Sequence, residues 1–356
     1  MTTKQTHDRP ADRLKVLAAV TACVASIASA PVSSHHSATI FDRDTVLAFQ
    51  GTVTGFNWTN PHVYIYVETR DDVAGLVEWE IETDATPILT RSGWNSGSLL
   101  PGSQVLVRAN PDRNADRRHA LLVSVEREDG VVLAARSDFL RSEHDTDRLA
   151  SASGLAGLWE LGYRDYISFY DVWAEVELTS AAVAAQAAYD HRSDAPVAQC
   201  IAHPTPTILV SPYLNEIVVR EDAVLIRNER FNIERTVFMD GRGHPENGEP
   251  SNQGHSIGWW EDEVLVVDTT LFEPHRSPIL GRPFRPGGVP SGPGKHVVER
   301  YALSEDRTRI VIEFTQEDPE YLAEPFTSTV AWYYAPHLAM LGFGCDPENA
   351  TRFTLP

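Results

Sequence analysis

Alternation of apolar and polar positions is the dominant signal along this chain, and it marks strands. VYIYVE (63–68) and VEWEIE (77–82) alternate throughout. Strand-like runs recur at 46–56, 62–69, 76–82, 104–110 and 120–127. Residues 86–94 between the third and fourth runs read as a short helix stopped near Gly93 and Gly97, and Pro101-Gly102 turns the chain into the next strand. Three strands, a helix and two strands is the order of an OB-fold. Residues 35–134 are therefore expected to form a small OB-like barrel.

Polar residues 135–153 lack a strand pattern and read as a linker. In 154–356 the one persuasive helix is 180–189, alanine-rich with Thr179 or Ser180 as its N-cap. After Pro206, strand-like runs follow at 208–210, 216–220, 223–229, 234–239, 257–260, 264–270, 297–303, 309–314 and 327–334. Tight turns at Glu261-Asp262 and Ser304-Glu305-Asp306 join some of them into hairpins. The expected class is mostly all-β: an OB-like barrel, then an antiparallel meander closed as a barrel or folded as a sandwich. Residues 281–295 hold four prolines and five glycines and predict a long surface loop.

The N-terminus changes the picture. Lys4, Arg9, Arg13 and Lys15 precede the uncharged segment 16–30, which is too short to span a bilayer but suits a signal-peptide core. Residues 1–34 are read as that peptide. Ala28-Ser29-Ala30 and Val32-Ser33-Ser34 are alternative cleavage sites, and Val20-Thr21-Ala22-Cys23 resembles a lipobox that would tether the protein at an acylated Cys23. Cleavage after Ser34 leaves Cys200 and Cys345, which an oxidising compartment would join as a disulfide. The formal net charge of -20 disfavours nucleic acid and acidic membrane surfaces as partners. Acidic residues along the middle strands of the OB-like region argue the same way.

The runs MDGRGHPE (239–246), GHSIGWWEDEVLVVDTTLF (254–272) and HVVERY (296–301) resemble an exported bacterial family of unknown function. HHS (35–37), GTVTGFNWTNPHVYIYVE (51–68) and RSGWNSGSLLPGSQV (91–105) extend the resemblance over most of the mature chain. It implies export and the pairing of a small N-terminal domain with a C-terminal β domain, and it implies no reaction. The chain departs from the family after VVDT, where Leu271-Phe272-Glu273-Pro274-His275 replaces a glycine-phenylalanine-asparagine stretch.

Three groups of residues carry candidate chemistry. Gly254-His255-Ser256-Ile257-Gly258 fits GxSxG, but the alternating residues after it predict a strand where a hydrolase elbow needs a helix. His244, His255 and His296 fall at strand edges, with Asp268, Glu299 and Arg300 on neighbouring strands. Alternation is read as turning His296 and Arg300 inward, so that His244, His255, Asp268, His296 and Arg300 would contact a hydrophobic small molecule inside the barrel. Acid–base catalysis such as isomerisation, hydration or hydrolysis would then be within reach. The alternative is non-catalytic: copper bound by the α-amine and ring of a newly exposed His35, with His36 or His62, or a structural envelope protein. Trp173, Trp259, Trp260, Phe314, Trp332, Tyr333 and Tyr334 are expected mostly in the core.

Overall fold

The computed structural model describes Met1 and residues 40–71, 74–135, 150–189, 194, 196–275 and 288–351. The expected signal peptide, Cys23, His35, His36, most of the linker and residues 281–287 of the long loop lie outside them. The first five strands are β1 (Leu47–Asn57), β2 (Tyr64–Asp71), β3 (Gly75–Glu82), β4 (Gln104–Pro111) and β5 (His119–Arg127), with a short β6 (Val132–Ala134) at the edge. Their order is β3-β2-β1-β4-β5-β6, and a parallel pairing of β3 with β5 closes the barrel. Helix α1 (Thr86–Arg91) joins β3 to β4, as an OB-fold requires. Asn60 Oδ1 caps it from outside, accepting from the Thr86 N–H at 2.8 Å. Val53, Ile65, Val67, Ile81, Val107 and Val125 fill the interior beside Trp94.

The second barrel has nine strands: β7 (Gly157–Leu161), β8 (Asn215–Val219), β9 (Ala223–Asn228), β10 (Ile233–Phe238), β11 (His255–Glu261), β12 (Val264–Thr270), β13 (His296–Leu303), β14 (Arg309–Glu317) and β15 (Phe326–Tyr334). It closes in the order β10-β11-β12-β13-β14-β15-β7-β8-β9. One junction departs from the expected antiparallel meander. β10 and β11 run parallel, at Val237↔Ser256 and Phe238↔Ile257, because residues 239–254 cross over between them. Gly254 ends that crossover at φ +70°, where a Cβ would meet the Thr270 carbonyl oxygen at 2.6 Å.

Two helices follow β7. The expected α3 (Ser180–Ala187) has Thr179 Oγ1 accepting from the Ala182 N–H at 3.2 Å. The unexpected one is α2 (Tyr163–Ala174). Its Phe169 and Trp173 pack on Phe314 and Phe326, inward side chains of β14 and β15. Residues 208–210, expected as strand, instead form the 3₁₀ turn Thr207–Val210, whose Leu209 carbonyl accepts from Trp332 Nε1 at 2.8 Å. Trp173, Phe314 and Trp332 are core, as expected, but Trp259 and Trp260 are exposed on β11.

Both barrels lie within one compact unit, His35–Pro356. Arg91 of α1 donates to Glu229 at 2.8 and 2.6 Å. The C-terminal segment crosses back to the first barrel, where a short helix, α4 (Pro347–Thr351), places Asn349 Nδ2 2.7 Å from the His62 carbonyl. Cys345 of that segment forms a disulfide with Cys200, as expected. The bond points to a compartment outside the reducing cytoplasm. Among the described residues no helix is long and apolar enough to cross a membrane.

Candidate functional site

The structure brings four of the five expected barrel residues together, but on the outer wall. Registers Ile257↔Asp268 and Asp268↔Val298 put His255, Asp268 and His296 on one face of β11–β13. His244, from the crossover, joins them. Asp268 Oδ1 accepts from His244 Nε2 at 3.1 Å and from His296 Nε2 at 2.9 Å, and the His244 and His255 Nδ1 atoms are 2.9 Å apart. With Asp268 ionised, the tautomers follow: His244 Nδ1 accepts from His255 Nδ1–H, leaving the His255 Nε2 lone pair free. Burial, helped by the charge of Arg242, lowers the His255 pKa and keeps that lone pair available. The arrangement can relay a proton between His255 and a carboxylate. Arg300 stands apart, donating to Glu261 at 2.7 Å. Ser256 is buried, its Oγ 2.9 Å from Thr269 Oγ1, so the GxSxG serine is not an elbow nucleophile.

The inward face of β13 is the opposite of the expected one. Val297, Glu299 and Tyr301 point into the barrel, paired with Gln316, Phe314 and Ile312 of β14. The apolar Ile310, Ile312 and Phe314 fix which face of β14 is inside, and that decides β13. Arg235 of β10 meets Glu299 bidentately at 2.7 and 3.0 Å, and also donates to Thr205 Oγ1 at 2.8 Å and to Tyr301 OH at 3.0 Å. Tyr301 OH donates to Glu299 at 2.7 Å. Lys295 is also buried; its Nζ is 3.3 Å from Ser291 Oγ and 4.4 Å from the Phe272 ring centre. Burial brings its pKa down to about 7, against the pull of Asp318 and Glu299.

A third feature lies where the barrels meet. A cavity of about 160 Å³ is lined by Pro61, Asp84 and Ile88 from the first barrel's side, by Tyr166 and Tyr170 of α2, and by His203, Thr207, Ser211, Tyr213 and Arg230. His203 is 2% exposed, yet neither ring nitrogen has a hydrogen-bond partner. The Thr207 and Ser211 hydroxyls and Arg230 Nε are likewise buried and unpartnered. Leaving such groups unmatched costs about 1–3 kcal/mol each. Burial, with the charges of Arg230 and His275 nearby, holds the His203 pKa well below its usual value. Its neutral ring offers one donor and one acceptor. Sequence reasoning missed these residues because 203–213 has no periodic pattern, and a histidine between alanine and proline carries no signal.

Two of the three expected copper ligands, His35 and His36, lie outside the described residues. His62 Nδ1 lies 3.1 Å from both Glu82 Oε1 and the Thr83 carbonyl. His119 lies 3.5 Å from the other Glu82 oxygen and 3.3 Å from Asp112. Burial alone would raise the Glu82 carboxyl, but His62 and His119 outweigh it and hold it at about 2. Burial likewise opposes the charge on each histidine, but Glu82 prevails and raises both.

A pH dependence follows. The Glu82 contribution is complete above the ordinary carboxyl pKa of 4.5 and is lost as pH falls toward 2, a difference of about 3 kcal/mol. The histidine contribution is complete below 6.5 and is lost as pH rises through the raised values. The network is therefore tightest between about pH 4.5 and 6.5. Urea unfolding across pH 2–8 should show both limbs, with the acid limb flattened in Glu82→Gln. An acid limb unchanged by that substitution would refute the assignment.

No curated protein matches the chain. Residues 21–121, which take in β1 to β4 and the start of β5, are similar to a family of unknown function, DUF6152.

Proposed function

We propose that this is an exported periplasmic or secreted protein that binds a small, partly apolar organic molecule in the cavity between its two barrels. The observation that carries the reading is His203, almost fully buried with both ring nitrogens unpartnered, facing a space it shares with two unpartnered hydroxyls. Interiors pair their polar groups, so a cluster left open in a concave site of mixed polar and apolar lining is matched to a ligand. The outer histidine relay does not line this cavity. The reading is therefore one of binding, with acid–base work confined to what neutral His203 can exchange with a bound molecule.

The test separates binding from architecture. His203→Leu removes the unmatched nitrogens and should raise unfolding stability by about 1–2 kcal/mol. The same variant should lose the small molecule that native mass spectrometry finds on protein purified from the periplasm. Function held at the expense of stability has this signature. A destabilised variant, or wild-type protein carrying no retained molecule, would sink the proposal.

A further inference from the structure

Resting on that reading, we infer that the ligand is a small monocarboxylate with a flat apolar body, its carboxylate held by Arg230. Charge supplies the first argument. Arg230 has no ion-pair or hydrogen-bond partner for its guanidinium among the described residues. The carboxylate beside it in sequence, Glu229, is fully buried and already committed to Arg91 and to the Leu341 N–H. A guanidinium flanked by aromatic faces, 5.7 Å from the Tyr213 ring centre and 5.4 Å from that of Phe231, is poorly hydrated and presents a planar fork. Carboxylate is the group that fork matches bidentately.

Backbone geometry supplies the second, independent argument. Phe231 and Asn232 adopt φ of 59° and 53°, a left-handed conformation that bulky side chains rarely accept. The turn is held there by its surroundings. Asn232 exchanges two hydrogen bonds of 2.9 Å with the backbone of Phe343, and the Phe231 ring packs on Phe343 at 4.9 Å. Strain over-determined in this way concentrates at ligand clamps. Here it fixes the residue that follows Glu229 at the cavity wall.

The remaining groups complete the ligand's description. The His203 N–H and the Ser211 and Thr207 hydroxyls are donors available to the same anionic head. Tyr170, Tyr213, Ile208 and Val210 give flat, apolar walls for the body. Asp84 also lines the cavity and would repel a second negative charge, while His62, another charged residue of the lining, is already paired with Glu82, so the ligand carries one.

Calorimetric titration of the full, disulfide-intact protein with benzoate and with its neutral isostere benzamide tests this. Benzoate should bind at least tenfold more tightly. Arg230→Gln should erase the difference while leaving the unfolding midpoint within a degree or two, and Arg230→Lys should restore part of it. Ser211→Leu, which fills the cavity, should abolish binding of both probes. Equal affinity for the two probes, unmoved by Arg230→Gln, would overturn the carboxylate while leaving the cavity reading intact. Failure of both probes to bind would also overturn it. Loss of the cavity reading itself would show separately, as wild-type protein with no retained mass.

Discussion

Arg235→Leu is expected to destabilise the protein by about 3–5 kcal/mol, the cost of stranding a buried carboxylate without its partner. Glu299 is 0% exposed, and the two Arg235 bonds, together with the Tyr301 hydroxyl, supply its neutralisation. Burial works against the Arg235 charge, and Glu299 and Tyr301 overcome it. Neither ion tolerates the other's removal. Replacing both by leucine should cost far less than the sum of the single changes, because apolar groups of similar volume need no solvation. Equilibrium urea unfolding of the two single variants and the double would decide. A loss below about 1 kcal/mol in Arg235→Leu, or additivity across the cycle, would mean that water already reaches the pair. Because Arg235 also donates to Thr205, two residues from His203, the single variant should weaken ligand retention too.

The elements themselves were legible because burial on one side imposes a period of two. All five main strands of the first barrel were expected, and the α1 position between β3 and β4 settled the OB-like order. What one chain of alternating residues leaves open is which face is inside. HVVERYAL of β13 has Val297, Tyr301 and Leu303 on one side and His296, Val298 and Arg300 on the other. Reading His296 and Arg300 inward assumed that polar side chains at a strand edge mark an interior site. The less ambiguous neighbour, RIVIEFTQE, places Ile310, Ile312 and Phe314 inside and pairs them with Leu303, Tyr301 and Glu299. Helix α2 also had its signal. Tyr166, Phe169, Tyr170 and Trp173 fall at helical spacing, though aromatic residues are weak helix formers and only the alanine-rich 180–189 reads as a helix. The cavity had no such signal, since it depends on two barrels meeting through segments without periodicity.

Loss of the Cys200–Cys345 bridge carries a similar penalty through a different physical route. The bonded residues are 145 apart, and closing a loop of that length in the unfolded chain removes entropy worth roughly 5 kcal/mol. The folded state adds a local reason for the bond. Cys345 forms an isolated β-bridge with Asn60, and the next residue, Asp346, donates its N–H to the Asn60 carbonyl at 2.9 Å. Cys200 follows the 3₁₀ turn Pro196–Gln199 and leads into the segment carrying His203. The disulfide therefore ties the cavity's own segment to the C-terminal strap that reaches the first barrel. Protein with both cysteines changed to serine should melt lower by of order 10 °C. Protein made in a reducing cytosol should behave like that variant, and oxidation should restore the wild-type midpoint. Benzoate affinity should fall in the variant even at temperatures where it is fully folded, because the His203 segment is no longer held. A midpoint within a degree of the oxidised protein would show that the remaining contacts of the strap suffice without the bond.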